Sequence, residues 1–399
     1  MKLESKSAAE HLRPLRMGMV GGGPGAFIGP VHTRAAALDG QIELAAGAFS
    51  HDARLSKQAG ASYGIDPDRA YASYTDLIER ERARRDPVDF VVIVTPNHLH
   101  FAIASLALES GFPVMSDKPA TATLQEAVAL RDCIRRTDGL YGLTYTYTGY
   151  PLVREARERC RRGDLGAIRK VVVEYPQGWL STRLETTGSK QAAWRTDPTR
   201  AGIGGCIGDI GIHAFNIAEF VTGHRVKSLC ADLATVMPNR ALDDDCNVLL
   251  RFDNGAPGVL YASQISLGER NGLRLRVYGD KGALDWSQED PNRLRLQWLE
   301  QPDQILHAAS NVTYLAESSR RLARLPLGHP EGFIEALSNL YGEFAAQVRA
   351  RQSGQAAAKA SLVPTIEDGL RSMAFIQSAV GGSRANAGWV ELPAASEMT

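Results

Sequence analysis

Arg16-Met17-Gly18-Met19-Val20-Gly21-Gly22-Gly23-Pro24-Gly25-Ala26-Phe27-Ile28-Gly29 is the stretch on which the fold turns. Residues 16–20 read as a short strand, the glycines as a turn, and 31–38 as the helix beyond it. Glycines at such a junction let backbone N–H groups approach a pyrophosphate at the helix N-terminus. Gly21, Gly23, Gly25, Ala26 and Phe27 are therefore candidate cofactor contacts. The match to a dinucleotide-binding turn is imperfect, because position 26 is Ala and the next glycine, Gly29, comes three residues late.

The segments C-terminal to that turn raise its value. Apolar strand patterns at 42–49, 88–94, 114–116 and 141–145 alternate with helical patterns at 52–63, 100–109 and 124–136. The run 88–94 is apolar nearly throughout, as in a strand buried on both faces. Strand-helix-strand repetition at this spacing predicts a doubly wound parallel sheet. After Pro151 the pattern changes. Strands at 170–175, 228–236, 247–252, 258–265 and 273–279 succeed one another across short turns such as Asp253-Asn254-Gly255 and Gly279-Asp280-Lys281-Gly282. Helical stretches are expected at 209–222, stopping at Gly223, and near 331–351 and 365–380, with a small-residue loop at 352–359. The predicted architecture is α/β: a Rossmann domain over 15–150 after a loose tail at 1–14, then an α/β domain over 151–399 with a large, mostly antiparallel open sheet.

Composition excludes several roles. Lys+Arg and Asp+Glu balance at 45 each over 399 residues, so no long-range field favours nucleic acid or a membrane surface. No apolar run has membrane-spanning length, and the first residues lack the apolar core of a signal peptide. The cysteines at 133, 160, 206, 230 and 246 are scattered without zinc-ligand spacing, which predicts a reduced, cytoplasmic protein without a metal site. Asp243-Asp244-Asp245 reads as a solvated turn.

Three segments carry the chemistry. Gly204-Gly205-Cys206-Ile207-Gly208-Asp209-Ile210-Gly211-Ile212-His213 sets an Asp and a His four residues apart, on one face of a helix, behind glycines that would let a ligand approach. Such a pair suits oriented acid/base work; the plainer reading makes Asp209 a helix N-cap and His213 a half-buried surface residue. Asp117-Lys118-Pro119 and Thr95-Pro96-Asn97-His98-Leu99-His100 end strands at the carboxyl edge of the parallel sheet, where ligands of such folds bind. Thr95, Pro96, Asn97 and His100 would touch the nucleotide or cap the next helix. Ser50 ends the second strand where an acid ordinarily holds the ribose of NAD. Asp52 comes two residues late, and Arg54 could meet a 2′-phosphate, so NAD and NADP stay open.

The glycine turn, the Thr95–His100 segment, Asp117-Lys118-Pro119 (where Glu-Lys-Pro is usual) and the Gly204–His213 segment occur in the order and spacing of the Gfo/Idh/MocA family. That is the family of glucose-fructose oxidoreductase and inositol dehydrogenase, and the chain resembles it from about residue 15 to 380. The resemblance implies a Rossmann domain joined to an α/β domain, with NAD(H) favoured and NADP(H) open. It also implies a homodimer or homotetramer through the second sheet and oxidation of a secondary alcohol of a sugar, glycoside or cyclitol. Lys118, Asp209 and His213 fall on the family's catalytic positions: His213 as proton acceptor, Asp209 as its partner, Lys118 as the group that lowers the hydroxyl's pKa. Trp194-Arg195-Thr196-Asp197 is similar to a segment lining the substrate cleft of relatives, with Arg195 able to reach a hydroxyl or pair with Asp197. Tyr145 and Tyr147 could bond a sugar hydroxyl, and His329 lies in a stretch common in one branch of the family. Two other readings accompany this one: an oxidoreductase that keeps and recycles its cofactor, and a non-catalytic sensor of nucleotide or sugar.

Overall fold

The computed structural model describes residues 13–355 and 361–398. Most of the expected tail, and residues 356–359 of the expected loop, lie outside the described residues. Strands β1 (Leu15–Gly21), β2 (Ile42–Ala48), β3 (Phe90–Val94), β4 (Val114–Ser116) and β5 (Tyr141–Leu143) form a parallel sheet ordered β2-β1-β3-β4-β5. Helices α1 (Ile28–Ala37), α2 (Ala53–Ser62), α3 (Tyr74–Arg82), α4 (His100–Glu109) and α5 (Leu124–Thr137) make the crossovers. Strand order reverses between β1 and β3, whose carboxyl ends flank the switch point, with that of β4 next to β3. This is the crevice in which open α/β sheets bind ligands.

The delayed glycine has a physical role. A Cβ at Gly29 would stand 2.4 Å from Gly22 Cα, so only glycine lets α1 pack this close to the turn. The extra residues before it form the turn itself, and helix–strand contact is kept by Gly29 in place of Ala26.

The second sheet has nine strands: β6 (Ile168–Pro176), β7 (Val226–Ala234), β8 (Asp245–Phe252), β9 (Pro257–Ser263), β10 (Arg274–Gly279), β11 (Gly282–Ser287), β12 (Arg293–Trp298), β13 (Gln304–His307) and β14 (Val390–Glu391). It is antiparallel apart from the β6–β9 pair. The hairpin turn at 279–282 leads into β11, but β12, β13 and β14 were not expected from sequence; Arg293-Leu294-Arg295-Leu296 alternates, but the run is short and arginine-rich. Helices α6 (Pro151–Arg162), α9 (Ile212–Thr222) and α12 (Ile366–Arg384) share the core beneath one face. Between β6 and α9 the chain makes a long excursion holding two short helices, α7 (Lys190–Arg195) and α8 (Pro198–Ala201). Among the described residues no helix is long and apolar enough to cross a membrane.

Two expectations need correction. The helix foreseen at 209–222 begins with a π-turn at Ile207–Gly211 and becomes α-helical only at Ile212. A single cut at residue 150 also fails to divide the packing. After the short α10 (Glu317–Arg320), the long helix α11 (Phe333–Gln352) buries Leu337, Leu340, Tyr341 and Phe344 in one core with Met17, Phe90 and Val92 of the parallel sheet. Phe344 meets the Phe90 ring edge-on at 5.5 Å, and Tyr341 Oη lies 2.7 Å from His32 Nδ1. A late helix thus completes the first domain.

Candidate active site

The strand-end loops are tied before they meet anything else. Asp117 Oδ1 accepts from the Lys118 N–H at 2.8 Å and from Thr144 Oγ1 at 2.9 Å. His100, expected at the nucleotide, is buried and lies with Nδ1 2.7 Å from Pro119 O and Nε2 2.9 Å from Thr95 O. Its ring therefore clasps the loops after β3 and β4 and offers neither nitrogen to a ligand. Asn97 likewise donates Nδ2 to Ala201 O at 2.9 Å, joining the parallel sheet's edge to α8.

From this braced loop Lys118 crosses to the second domain. Its ammonium donates to Asp209 O at 2.6 Å and to Asp209 Oδ1 at 3.0 Å. Asp209 Oδ2 accepts from Arg195 Nε at 3.0 Å and Gln264 Nε2 at 2.9 Å. Burial opposes the carboxylate's charge, but Arg195 and Lys118 outweigh it and hold the Asp209 carboxyl far below the ordinary range. Arg195 lies over the Trp194 ring at 4.3 Å and faces Trp179 at 5.8 Å. It pairs with Asp209 rather than Asp197, whose carboxylate caps α8 at Thr199 N.

His213 sits on the first turn of α9 among three tyrosine rings. Tyr145, Tyr147 and Tyr175 meet its ring edgewise with centroids at 5.6, 4.9 and 6.1 Å. Its Nδ1 is a buried nitrogen without a protein partner. Burial first, and Lys118 second, push the imidazole well below its ordinary pKa, against the opposing pull of Asp209. None of the hydrogen bonds of the Asp209 carboxylate goes to His213, so their coupling is through space. The carboxylate oxygens are instead taken by Lys118, Arg195 and Gln264.

Nor is Asp209 the helix cap. Asp243 takes that role, accepting from Gly205 N and Ile207 N at 2.7 Å each. The triple aspartate is thus no solvated turn. Asp243 anchors the π-turn, and buried Asp244 accepts from Val236 N and Met237 N at 2.8 and 3.0 Å.

Tyr145 points its hydroxyl at Ser372 Oγ of α12 and presents only its ring to the site. Tyr147 Oη meets Tyr175 Oη and lies 3.3 Å from Asn271 Nδ2; Asn271 Oδ1 accepts from Tyr175 Oη and Gln177 Nε2 at 2.7 Å each. This neutral wall of Tyr175, Gln177, Asn271 and Gln264 was missed from sequence, because amides and tyrosines at strand ends carry no distinctive spacing. His329 is exposed, with Nδ1 3.2 Å from Pro326 O, and none of the site contacts above includes it.

The other arm of the crevice fits a dinucleotide. A Cβ at Gly23 would lie 2.3 Å from Phe49 O, so the turn hugs the end of β2 beside Ser50. The α1 N-terminus has Phe27 at its cap and no side-chain cap, which leaves its first N–H groups for an anion. Thr95 Oγ1 at the end of β3 is a buried hydroxyl without a protein partner. Gly21, Gly25, Ala26 and Pro96 lie on these same two loops. Asp52 serves instead as the cap of α2, its Oδ1 accepting from Arg54 N and Leu55 N at 2.8 and 3.1 Å.

A dinucleotide crevice facing a lysine-aspartate-histidine cluster across a domain boundary defines a nicotinamide-linked oxidoreductase. Residues 15–145 match the oxidoreductase family model with an NAD-binding Rossmann fold, and 153–285 match the GFO/IDH/MocA C-terminal domain. An uncharacterised oxidoreductase of Bacillus subtilis is 31% identical over 95% of this chain and 97% of its own. A crystal structure of an inositol dehydrogenase homologue from Azotobacter vinelandii, complexed with NAD+, superposes with a TM-score of 0.91 at 35% identity, covering 98% of this chain and all of that one. Levoglucosan dehydrogenase of Pseudarthrobacter phenanthrenivorans is 25% identical over 96% of this chain and 99% of its own. The chain belongs to the Gfo/Idh/MocA family and is an NAD-binding oxidoreductase.

Proposed function

We propose that the enzyme oxidises a secondary alcohol of a neutral sugar, glycoside or cyclitol, with Lys118, Asp209 and His213 handling the hydroxyl proton. The observation that carries this reading is the meeting of Lys118 with Asp209 beside the neutral imidazole of His213. Bound nicotinamide supplies the hydride acceptor. His213, kept neutral by burial, takes the proton of the hydroxyl that is oxidised. Lys118 and Arg195 set two positive charges against one carboxylate, and the surplus charge stabilises the alkoxide as that proton leaves. Asp209 fixes the Lys118 ammonium, whose remaining proton is directed at the substrate oxygen. Tyr147, Gln177 and Asn271 form a neutral hydrogen-bonding wall suited to further hydroxyls. Relatives named for inositol and levoglucosan support the same substrate class. Ser50 in place of a ribose acid leaves room for NADP(H) beside NAD(H).

Copies of the chain pair through the open face of the second sheet, where Leu249, Val259 and Val172 lie side by side across β8, β9 and β6. Leu249 is 49% exposed.

The test is nicotinamide reduction over a panel of cyclitols, sugars and glycosides, with NAD+ and NADP+ in parallel. Turnover releasing free reduced cofactor supports a dehydrogenase. Exchange between two sugars without release identifies the recycling enzyme, and tight cofactor binding with no turnover on any member identifies a sensor.

A further inference from the structure

The excursion between β6 and α9 is built from the second domain but rests on the first. At its far end Asn97 bonds Ala201 O, and a Cβ at Gly202 would stand 2.9 Å from Ala122 O, so the chain there presses on the loop after Lys118-Pro119. At its near end Lys190, the first residue of α7, reaches the glycine-rich turn. Its ammonium lies 3.3 Å from Pro24 O. A Cβ at Gly25 would sit 3.7 Å from Lys190 Cδ and 3.9 Å from Lys190 Nζ. Ser189 caps α7 by accepting from Ala192 N, which fixes where Lys190 starts.

Lys190 is exposed and has no carboxylate within ion-pair distance among the described residues. The cations of the site pair differently: Lys118 and Arg195 both face Asp209. A cation laid over a glycine turn, with a carbonyl as its only protein partner, is placed to meet an anion held by that turn. The anion of a nicotinamide dinucleotide at such a turn is its pyrophosphate.

We propose that α7 is a clasp for the cofactor. Lys190, from outside the Rossmann domain, bonds the pyrophosphate. Arg195, at the other end of the same six-residue helix, holds Asp209. One short helix then reports cofactor occupancy to the acid/base cluster, and opening the clasp gates cofactor exit. The proposal rests on the glycine turn as the pyrophosphate site.

The test uses the whole protein with NADH and with ADP-ribose, which keeps the pyrophosphate and lacks nicotinamide. Lys190→Gln is expected to weaken both ligands roughly tenfold, the scale of one hydrogen bond to a charged group. The loss should fall mainly on a faster NADH dissociation rate in stopped flow, with the melting temperature of the unliganded protein unchanged and affinity restored in Lys190→Arg. Unchanged affinity for both ligands overturns the proposal. So does a loss accompanied by a lower unliganded melting temperature and no rescue by arginine, because Lys190 would then merely brace the turn. If wild-type protein binds NADH but not ADP-ribose, the failure lies with the glycine turn as pyrophosphate site and the clasp falls with it.

Discussion

Two glycine-rich segments, 21–29 and 204–211, put the same residue to work in different halves of the molecule. In the first, the absence of side chains lets the turn lie close to the end of β2, with Gly23 against Phe49 O, and close to α1, with Gly29 against Gly22, beside the uncapped start of that helix. In the second, it lets protein close on itself. A Cβ at Gly205 would lie 2.2 Å from Asp243 O, so the glycine admits the aspartate loop that caps the π-turn, and no ligand is involved. One segment shapes the turn proposed to hold the cofactor. The other shapes the start of the helix that carries Asp209 and His213. Glycine count alone does not separate the two.

The largest effect that would break this comparison lies on the side chains of the second segment. His213→Ala or Lys118→Ala should lower kcat by about 10²–10⁴, the range for losing a general acid or base. Cofactor affinity measured by titration should hardly move in His213→Ala. An unchanged kcat in both variants removes the proposed mechanism.

Next comes Gly205→Ala, which forces a methyl onto a backbone carbonyl. It should cost about 1–3 kcal/mol, as overpacking does, read as a lower midpoint of chemical unfolding, and should lower kcat by displacing the π-turn. Gly29→Ala meets a similar clash at Gly22 but in the cofactor half. Its expected signature is a KM for NAD+ raised roughly tenfold, from about 1.4 kcal/mol of lost fit, with kcat nearly kept. If the two alanines exchange signatures, the division of labour is wrong.

The smallest effect is on pH. A base must be neutral to accept a proton, and burial with Lys118 keeps His213 neutral to lower pH than a free imidazole. The rising acid limb of kcat/KM for alcohol oxidation should therefore have its midpoint below about 6.5, the ordinary histidine value. Activity is held above that midpoint and lost as pH falls through it. A midpoint at or above that value contradicts the buried, neutral histidine.

The sequence was most readable where structure is local. The strand, the glycine turn and the helix lie within a few residues of one another, and the order of four short segments marked the family. The lysine, aspartate and histidine each stood in a short motif, but the contact of Lys118 with Asp209 spans 91 residues and the expected Asp209–His213 pair makes no hydrogen bond. What escaped depends on contacts between distant residues. Asp243 is 36 residues from the Ile207 N–H it caps and Gln264 is 55 from Asp209. Charge composition alone therefore made the triple aspartate look solvated. The π-turn escaped because side-chain periodicity reports which face is buried, not how many residues each backbone hydrogen bond spans. His100 looked like a ligand residue because its position on the loop was legible, while the two carbonyls that occupy its ring were not.

The docking of α11 against the parallel sheet has a consequence for biosynthesis. Ribosomes deliver the Rossmann strands first, yet Met17, Phe90 and Val92 share a buried core with a helix some 240 residues further along the chain than Phe90. Until that helix emerges, the nascent cofactor half carries a bare apolar face that a chaperone would recognise. The half of the molecule that reads most plainly in the sequence is thus finished only late in synthesis.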